Sequence, residues 1–439
     1  MPRDDFADKA LTPLPGIDPG EPLEKVNGWK VVGPGLVVAA TGVGAADLVA
    51  TLTAGSRFGY GLLWAVVLGT VLKIILVEGA GRYSLATGRT IFEGWRSLGR
   101  WTTVYFGPYI IIWGFVYGAT AMSSAALPLA ALFPVLPLWA WAVFMGLLGF
   151  FMVWFGRYAL VERLAALMVG IMFVVVVGLA IIAVPNVPDM ITGFVPVIPE
   201  GGLVYTLALA GGIGGTITLA AYGYWLREKG WYRPRWMRVM QLDNAAAYTV
   251  TGIFVVAMLI VGVEVLYSAG YAISAGDEGL LELGEILKDR YGDVIGTAFL
   301  VGFWAASFSS LVGVWSGVSL MFADFWGNIR GKHSGHPDTV TGGKYFRFYL
   351  LWLTFPPMLL FMLGRPVFLI LLYGVLGALF MPFLALTLIW LLNTRRTPER
   401  WRNGVFTNVM LAVCVVLFTV LGLYQAWDTL QDVIVWFQG

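Results

Sequence analysis

The sequence predicts an all-α polytopic membrane protein of about eleven transmembrane helices, two of them broken at bilayer depth. Three observations lead there. Of 439 residues, 59% are hydrophobic and 12% charged, with a mean hydropathy of +0.79, where a soluble domain carries about a quarter charged residues. Eleven apolar runs alternate with polar breaks, and glycine clusters interrupt two of the runs. The abundance of glycine (55) and proline (21) suits close helix packing and broken helices, and the ten-residue alternation of a transmembrane barrel is absent.

Residues 1–30 are polar, without the apolar core of a signal peptide, and read as a flexible cytoplasmic arm in which Asp18-Pro19-Gly20 marks a turn. The first span, 31–54, runs apolar to Ala40, meets Thr41-Gly42-Val43-Gly44-Ala45-Ala46-Asp47, and resumes at Leu48. An unpaired charge at the bilayer centre costs roughly 2.5 to 3.5 kcal/mol. Asp47 therefore argues for a discontinuous helix lining a binding site, with capping of the resumed half-helix as its structural role. Span two, 59–80, carries Lys73 and Glu78. Five residues apart, they point about 140° away from each other. Arg82, one turn on, is the natural partner of Glu78, and Asp47 or Glu264 are the candidates for Lys73.

Spans three to five cover 103–133, 137–156 and 158–185. Span six, 203–226, holds the second interruption, Ala210-Gly211-Gly212-Ile213-Gly214-Gly215-Thr216-Ile217-Thr218. Spans seven to eleven follow at 243–268, 293–323, 346–363, 366–393 and 404–425. Broken spans one and six stand five helices apart and enter the membrane from opposite sides. Such a pair points to an inverted-repeat transporter with its site at the midplane. The chain then divides into the tail, a first five-helix repeat (31–185), an extracellular connection (186–202), a second five-helix repeat (203–393), and an eleventh helix with an extracellular C-terminus (394–439).

The formal net charge is +2, but 23 of the 28 Lys and Arg residues fall in the tail and in the connections after the even-numbered spans. Those segments are expected to be cytoplasmic. The connection after span seven is acidic, and Glu264 beside it reads as a solvated mouth or a cation-attracting vestibule. The run Trp231 to Arg238 mixes aromatics with cations and suits anionic headgroups, so the bilayer is a partner and nucleic acid is not. His333 and His336 lie in a glycine-rich connection and read as solvated loop residues; Cys414 is alone and reads as a small apolar residue. The spans contain neither a His-Glu-x-x-His pattern nor paired carboxylates, so an enzyme is not expected.

Gly33-Pro34-Gly35-Leu36-Val37-Val38-Ala39, with Ala54-Gly55-Ser56-Arg57-Phe58-Gly59-Tyr60-Gly61-Leu62-Leu63-Trp64 after the break, resembles the opening of the Nramp divalent-metal transporters. The end of span two, Gly81 to Arg89, and Gly193-Phe194-Val195-Pro196 are similar to further family signatures. The resemblance implies a LeuT-type fold, two inverted five-helix repeats plus one extra helix, in an inner (plasma) membrane of bacterial type. The centre departs from the pattern. Aligned without gaps from Gly33, the family's Asp-Pro-Gly-Asn falls on Gly44-Ala45-Ala46-Asp47, and its Met-Pro-His-Asn on Thr218-Leu219-Ala220-Ala221. Trp225 stands where the family has a further histidine.

The soft thioether is thus missing, and carboxylate, hydroxyl and carbonyl oxygens suit hard cations such as hydrated Mg2+. Nramp-related magnesium transporters resemble this chain in lacking the methionine, although they keep the first aspartate. The expected function is alternating-access transport of a divalent cation, Mg2+ or Mn2+. Asp47, Gly44, Thr41, Gly214, Thr216, Thr218, Ala221 and Trp225 are the candidate substrate-binding residues, with Asp47 as the metal ligand. No cofactor is expected, and the sequence leaves the oligomeric state open, a monomer being compatible with it. The third span offers no Asp, Glu or His from Trp113 to Leu127, so uniport or exchange is favoured over proton symport. Two alternatives stay open: an organic cation held by Tyr222, Tyr224 and Trp225 with Asp47 as counter-ion, and a sensor that binds without transporting.

Overall fold

A computed structural model describes residues 13–25, 33–42, 45–156, 158–212, 215–270, 277–363 and 366–438, and all regular structure among them is helical. Span one is two helices, α1 (Pro34–Gly42) and α2 (Ala45–Phe58). Span two is α3 (Leu63–Thr87), followed by the short α4 (Ile91–Ser97), which Thr90 and Glu93 start with a reciprocal capping box. Spans three to five are α5 (Arg100–Leu132), α6 (Leu138–Phe155) and α7 (Tyr158–Ile182), and α8 (Val187–Thr192) lies in the outer connection. Span six is again two helices, α9 (Leu203–Gly212) and α10 (Thr218–Glu228). Then come α11 (Met237–Val261), α12 (Asp277–Tyr291), α13 (Asp293–Ile329), α14 (Lys344–Met358), α15 (Pro366–Asn393) and α16 (Val405–Gln438).

Seven helical stretches among the described residues are long and apolar enough to cross a membrane. Spans one and six fall short individually because each is broken. Span nine does so because Pro356 and Pro357 deny α14 its hydrogen bonds, and the chain tightens into a 3-10 turn over Leu359–Leu363. This is an integral membrane protein.

The structure corrects the sequence reading in three places. The acidic connection after span seven contains α12, whose Leu280, Leu283 and Leu287 are fully buried against α13. Their i, i+3, i+7 spacing is that of a helix face. The last helix runs to Gln438 rather than ending at 425. Residues 13–25 of the tail, expected to be flexible, lie docked against the end of α3 and the segments around Arg235 and Trp401. Leu14 N–H donates to Thr87 (2.9 Å), Glu24 N–H to Arg235 (2.8 Å), and the Trp401 indole to the Pro19 carbonyl (3.2 Å). The turn at Asp18 is present, with Gly20 N–H donating to its carboxylate at 2.8 Å.

Small residues let the bundle close. A Cβ on Gly55 would lie 2.7 Å from the Leu259 carbonyl, and one on Gly262 would lie 2.8 Å from that of Leu52. Hence α2 and span seven touch backbone to backbone. Gly69 of α3 meets the Leu209 and Ala210 carbonyls of α9 in the same way. These contacts bring the ends of both broken spans into the middle of the protein.

Candidate substrate site at the two breaks

Pro34 sits at the first position of α1, where its missing N–H costs nothing. Ahead of it and behind it, Gly33 N–H and Gly35 N–H donate to the two carboxylate oxygens of Asp243 on α11, at 2.8 and 2.6 Å. Tyr222 of α10 donates to the same carboxylate at 2.9 Å. One carboxylate thus caps α1 at its positive end and ties spans one, six and seven together. A Cβ on Gly35 would approach Asp243 to 2.7 Å, so the glycine is needed for the carboxylate to come this close. Around Gly33 stand Trp231, Glu162 and Lys229, the last two paired at 2.6 Å.

At its other end α1 stops at Gly42. A helix leaves its last carbonyls without partners, and that of Thr41 accepts from Ser310 of α13 at 2.9 Å. Ser310 in turn accepts from Tyr117 of α5 at 3.0 Å, whose ring stacks on Trp113 with centroids 4.6 Å apart. The Thr41 hydroxyl donates to Val38 at 2.7 Å, which leaves its oxygen able to accept or to coordinate.

The second break comes directly against the first. Gly215 has φ +92°, and a Cβ there would lie 2.7 Å from the Thr218 hydroxyl and 3.1 Å from Gly42 Cα. Only glycine fits both the left-handed backbone and the approach of the neighbouring span. Thr216 is half-buried beside Gly377 of α15. Thr218 opens α10, and its hydroxyl is buried with no hydrogen-bond partner among the described residues. Ala221 and Trp225 are fully buried. The Trp225 ring packs on Gly317 of α13, and its indole N–H has no hydrogen-bond partner among the described residues. The structure therefore brings Thr41, Thr216 and Thr218 to the meeting point of the breaks. Gly44 and Gly214 lie outside the described residues, as does the side chain of Asp47, whose backbone belongs to α2.

The aromatic cage does not assemble: Tyr222 is held by Asp243, and Tyr224 donates to the buried Asp324 of α13 at 2.8 Å. Each has its hydroxyl engaged, and both rings are buried in packing. Lys73 is fully buried, and its ammonium donates to the Gly215 carbonyl at 2.5 Å. Glu264, its other expected partner, sits in a π-helical turn at the outer side, accepting from Tyr60 (2.7 Å) and from Asn186 N–H (3.0 Å). Glu78 and Arg82 pair at 3.1 Å as their spacing predicts. Among the described residues no three His, Cys, Asp or Glu side chains converge as metal ligands. His336 instead faces Asp338 at 3.7 Å in the loop between α13 and α14.

Sequence reasoning missed Asp243 and Asp324. Both are carboxylates within or at the end of long apolar helices, a signal available from depth alone. Among the described residues, the two breaks bring together the Thr41 and Thr218 hydroxyls with the Thr41 and Gly215 carbonyls, which accept from Ser310 and from the Lys73 ammonium.

Comparison with known proteins agrees with this architecture. The chain is 26% identical over 310 residues to the divalent metal cation transporter MntH of Mycobacterium leprae, covering 67% of this chain and 70% of that one. It is 24% identical over 332 residues to MntH of Bacillus subtilis, covering 68% and 72%. These relatives are transporters rather than enzymes. Among solved structures it superposes on the Eremococcus coleocola manganese transporter with a TM-score of 0.77 at 16% identity, over 95% of this chain and 91% of that one. MhsT in complex with L-phenylalanine follows the same course, with a TM-score of 0.62 at 14% identity over 92% and 99%. The fold is LeuT-type. The family model for natural resistance-associated macrophage protein-like chains matches residues 35–428, from the first turn of α1 into the last helix, and the chain belongs to the Nramp family.

Proposed function

We propose that this protein is a secondary transporter that carries a divalent cation, Mn2+ or Mg2+, through the meeting point of spans one and six by alternating access. The observation that supports it is the contact of the two breaks, where Gly42 and Gly215 approach and the buried Thr218 hydroxyl has no hydrogen-bond partner among the described residues. Asp47 supplies the charged ligand, Thr41, Thr216 and Thr218 supply hydroxyl oxygens, and Gly44 and Gly214 supply backbone carbonyls. Ala221 and Trp225 take the places of ligands in the family pattern and narrow the site. The proposed ligands are all oxygens, so the cation keeps part of its water shell. The two five-helix halves, 31–185 and 203–393, move relative to each other around it. The cation is cargo, and no resident cofactor enters this reading.

The charge distribution supports an inner-membrane orientation with the N-terminus in the cytoplasm and the C-terminus outside. The uptake of Mn2+ or Mg2+ into proteoliposomes tests the function. Asp47→Ala should lower the initial rate about tenfold or more, a loss of about 1.4 kcal/mol or greater. A rate unaffected by that substitution would remove Asp47 from the site. Uniport predicts in addition that uptake leaves the internal pH unchanged.

A further inference from the structure

We propose that Arg233, Arg235 and Arg238 form a docking site for the headgroup of an anionic phospholipid, and that two stacked tryptophans join this site to the start of α1. The apolar stretch that contains α11 begins at Pro234, so the three arginines stand where the chain leaves the hydrocarbon and lipid phosphates lie. Five cations fall between 227 and 238. Two are spent inside the protein: Arg227 donates to the Gly88 carbonyl and Lys229 pairs with Glu162. The other three are exposed, and none of their guanidinium groups pairs with a carboxylate among the described residues. Glu21 of the docked tail reaches this strip, but its carboxylate accepts the Arg235 backbone N–H.

Aromatic rings set the arginines in place. The Arg233 guanidinium lies over Tyr232, 5.6 Å from the ring centroid, and that of Arg235 over Trp236 at 5.3 Å. Stacking holds a guanidinium by its face and leaves the N–H donors in its plane for phosphate oxygens. Tyr232 is exposed and Trp236 partly so, as suits rings at the headgroup layer. A zwitterionic headgroup brings a cation of its own against these charges, so a net negative one is preferred. Trp236 in turn stacks on Trp231, with centroids 5.5 Å apart and planes 17° from parallel. The buried Trp231 ring covers Gly33, where a Cβ would lie 3.3 Å from it. A headgroup that immobilises Arg235 thereby holds the ring that packs on the entry to α1.

Delipidated full-length protein in a neutral detergent, titrated with lipid, tests the site without measuring flux, so the result stands whether or not Mn2+ or Mg2+ is carried. Phosphatidylglycerol should raise the thermal midpoint of the wild type saturably, where phosphatidylcholine or inorganic phosphate at the same concentration does not. Arg233→Gln, Arg235→Gln and Arg238→Gln should each raise the half-saturating lipid concentration about fivefold. Arg330→Gln, Lys344→Gln and Arg395→Gln, which remove exposed cations from other connections, should leave it unchanged. With Leu36→Cys as a reporter in α1, saturating phosphatidylglycerol should slow thiol labelling severalfold, and combining the reporter with Arg235→Gln should abolish that slowing. Equal shifts from phosphatidylglycerol and phosphatidylcholine, an equal shift from inorganic phosphate, or equal weakening by both sets of substitutions overturns the site. Labelling at position 36 that ignores bound lipid overturns the link to α1.

Discussion

Asp243 shows how one residue can hold the start of a helix. Its carboxylate accepts two backbone N–H groups at the start of α1 and the Tyr222 hydroxyl of α10. Asp243→Ala would leave the two backbone donors buried without their carboxylate and the Tyr222 hydroxyl with only its 3.3 Å contact to the Met240 carbonyl, at about 1 to 3 kcal/mol for each unsatisfied group. We expect a loss of about 3 kcal/mol or more, read as a lowered thermal midpoint. A labelling reagent applied from the cytoplasmic side should also reach a cysteine placed in α1 faster than in the parent. Asp243→Asn keeps one acceptor oxygen and should fall between the two. Equal stability and equal labelling in all three proteins would show that the cap does not hold α1. Asp243 was legible only as an acid at the edge of an apolar run; its function as a cap depends on a glycine pair some two hundred residues away, a relation no local pattern carries.

The elements divide by how local their causes are. Both broken spans were readable because glycine acts where it stands, loosening the helix at 42 and at 211–215. The Glu78–Arg82 pair was readable because one helical turn fixes it. Helix α12 was hidden under its own charges, since its buried leucines are a narrow stripe among acids. The docked tail was hidden for the opposite reason. Its backbone bonds to Thr87 and Arg235 and its Pro19 contact with Trp401 join parts of the chain far apart in sequence, and polar composition alone suggests an unanchored arm. Arg235 N–H also donates to the Glu21 carboxylate at 2.7 Å. Truncation through Lys25 should therefore raise hydrogen exchange at the Arg235 amide well above its rate in the full chain, while the amides of α13 stay protected. An unchanged rate at Arg235 would mean the strap lies on the surface without restraining it.

For the whole molecule, the proposed alternating access requires that the side holding the start of α1 open, and the contacts to be broken there can be named. The start of α1 is held by Asp243, the connection after span six carries Lys229, and Lys229 reaches across to Glu162 of α7 at 2.6 Å. This last pair joins span five to the end of span six, which the proposed repeats place in different halves. As a partly exposed ion pair it contributes on the order of 1 kcal/mol or less, weak enough to break and re-form in every cycle. A covalent link in its place would not break. The single native thiol, Cys414, is buried, so Glu162→Cys combined with Lys229→Cys can be joined by a short bifunctional maleimide on an otherwise unaltered chain. Joining them should abolish Mn2+ or Mg2+ uptake in proteoliposomes without lowering the thermal midpoint, and each single cysteine treated with the same reagent should keep most of its rate. Uptake that survives complete cross-linking would show that the cation does not leave past the start of α1, and would move the cytoplasmic exit to another part of the bundle.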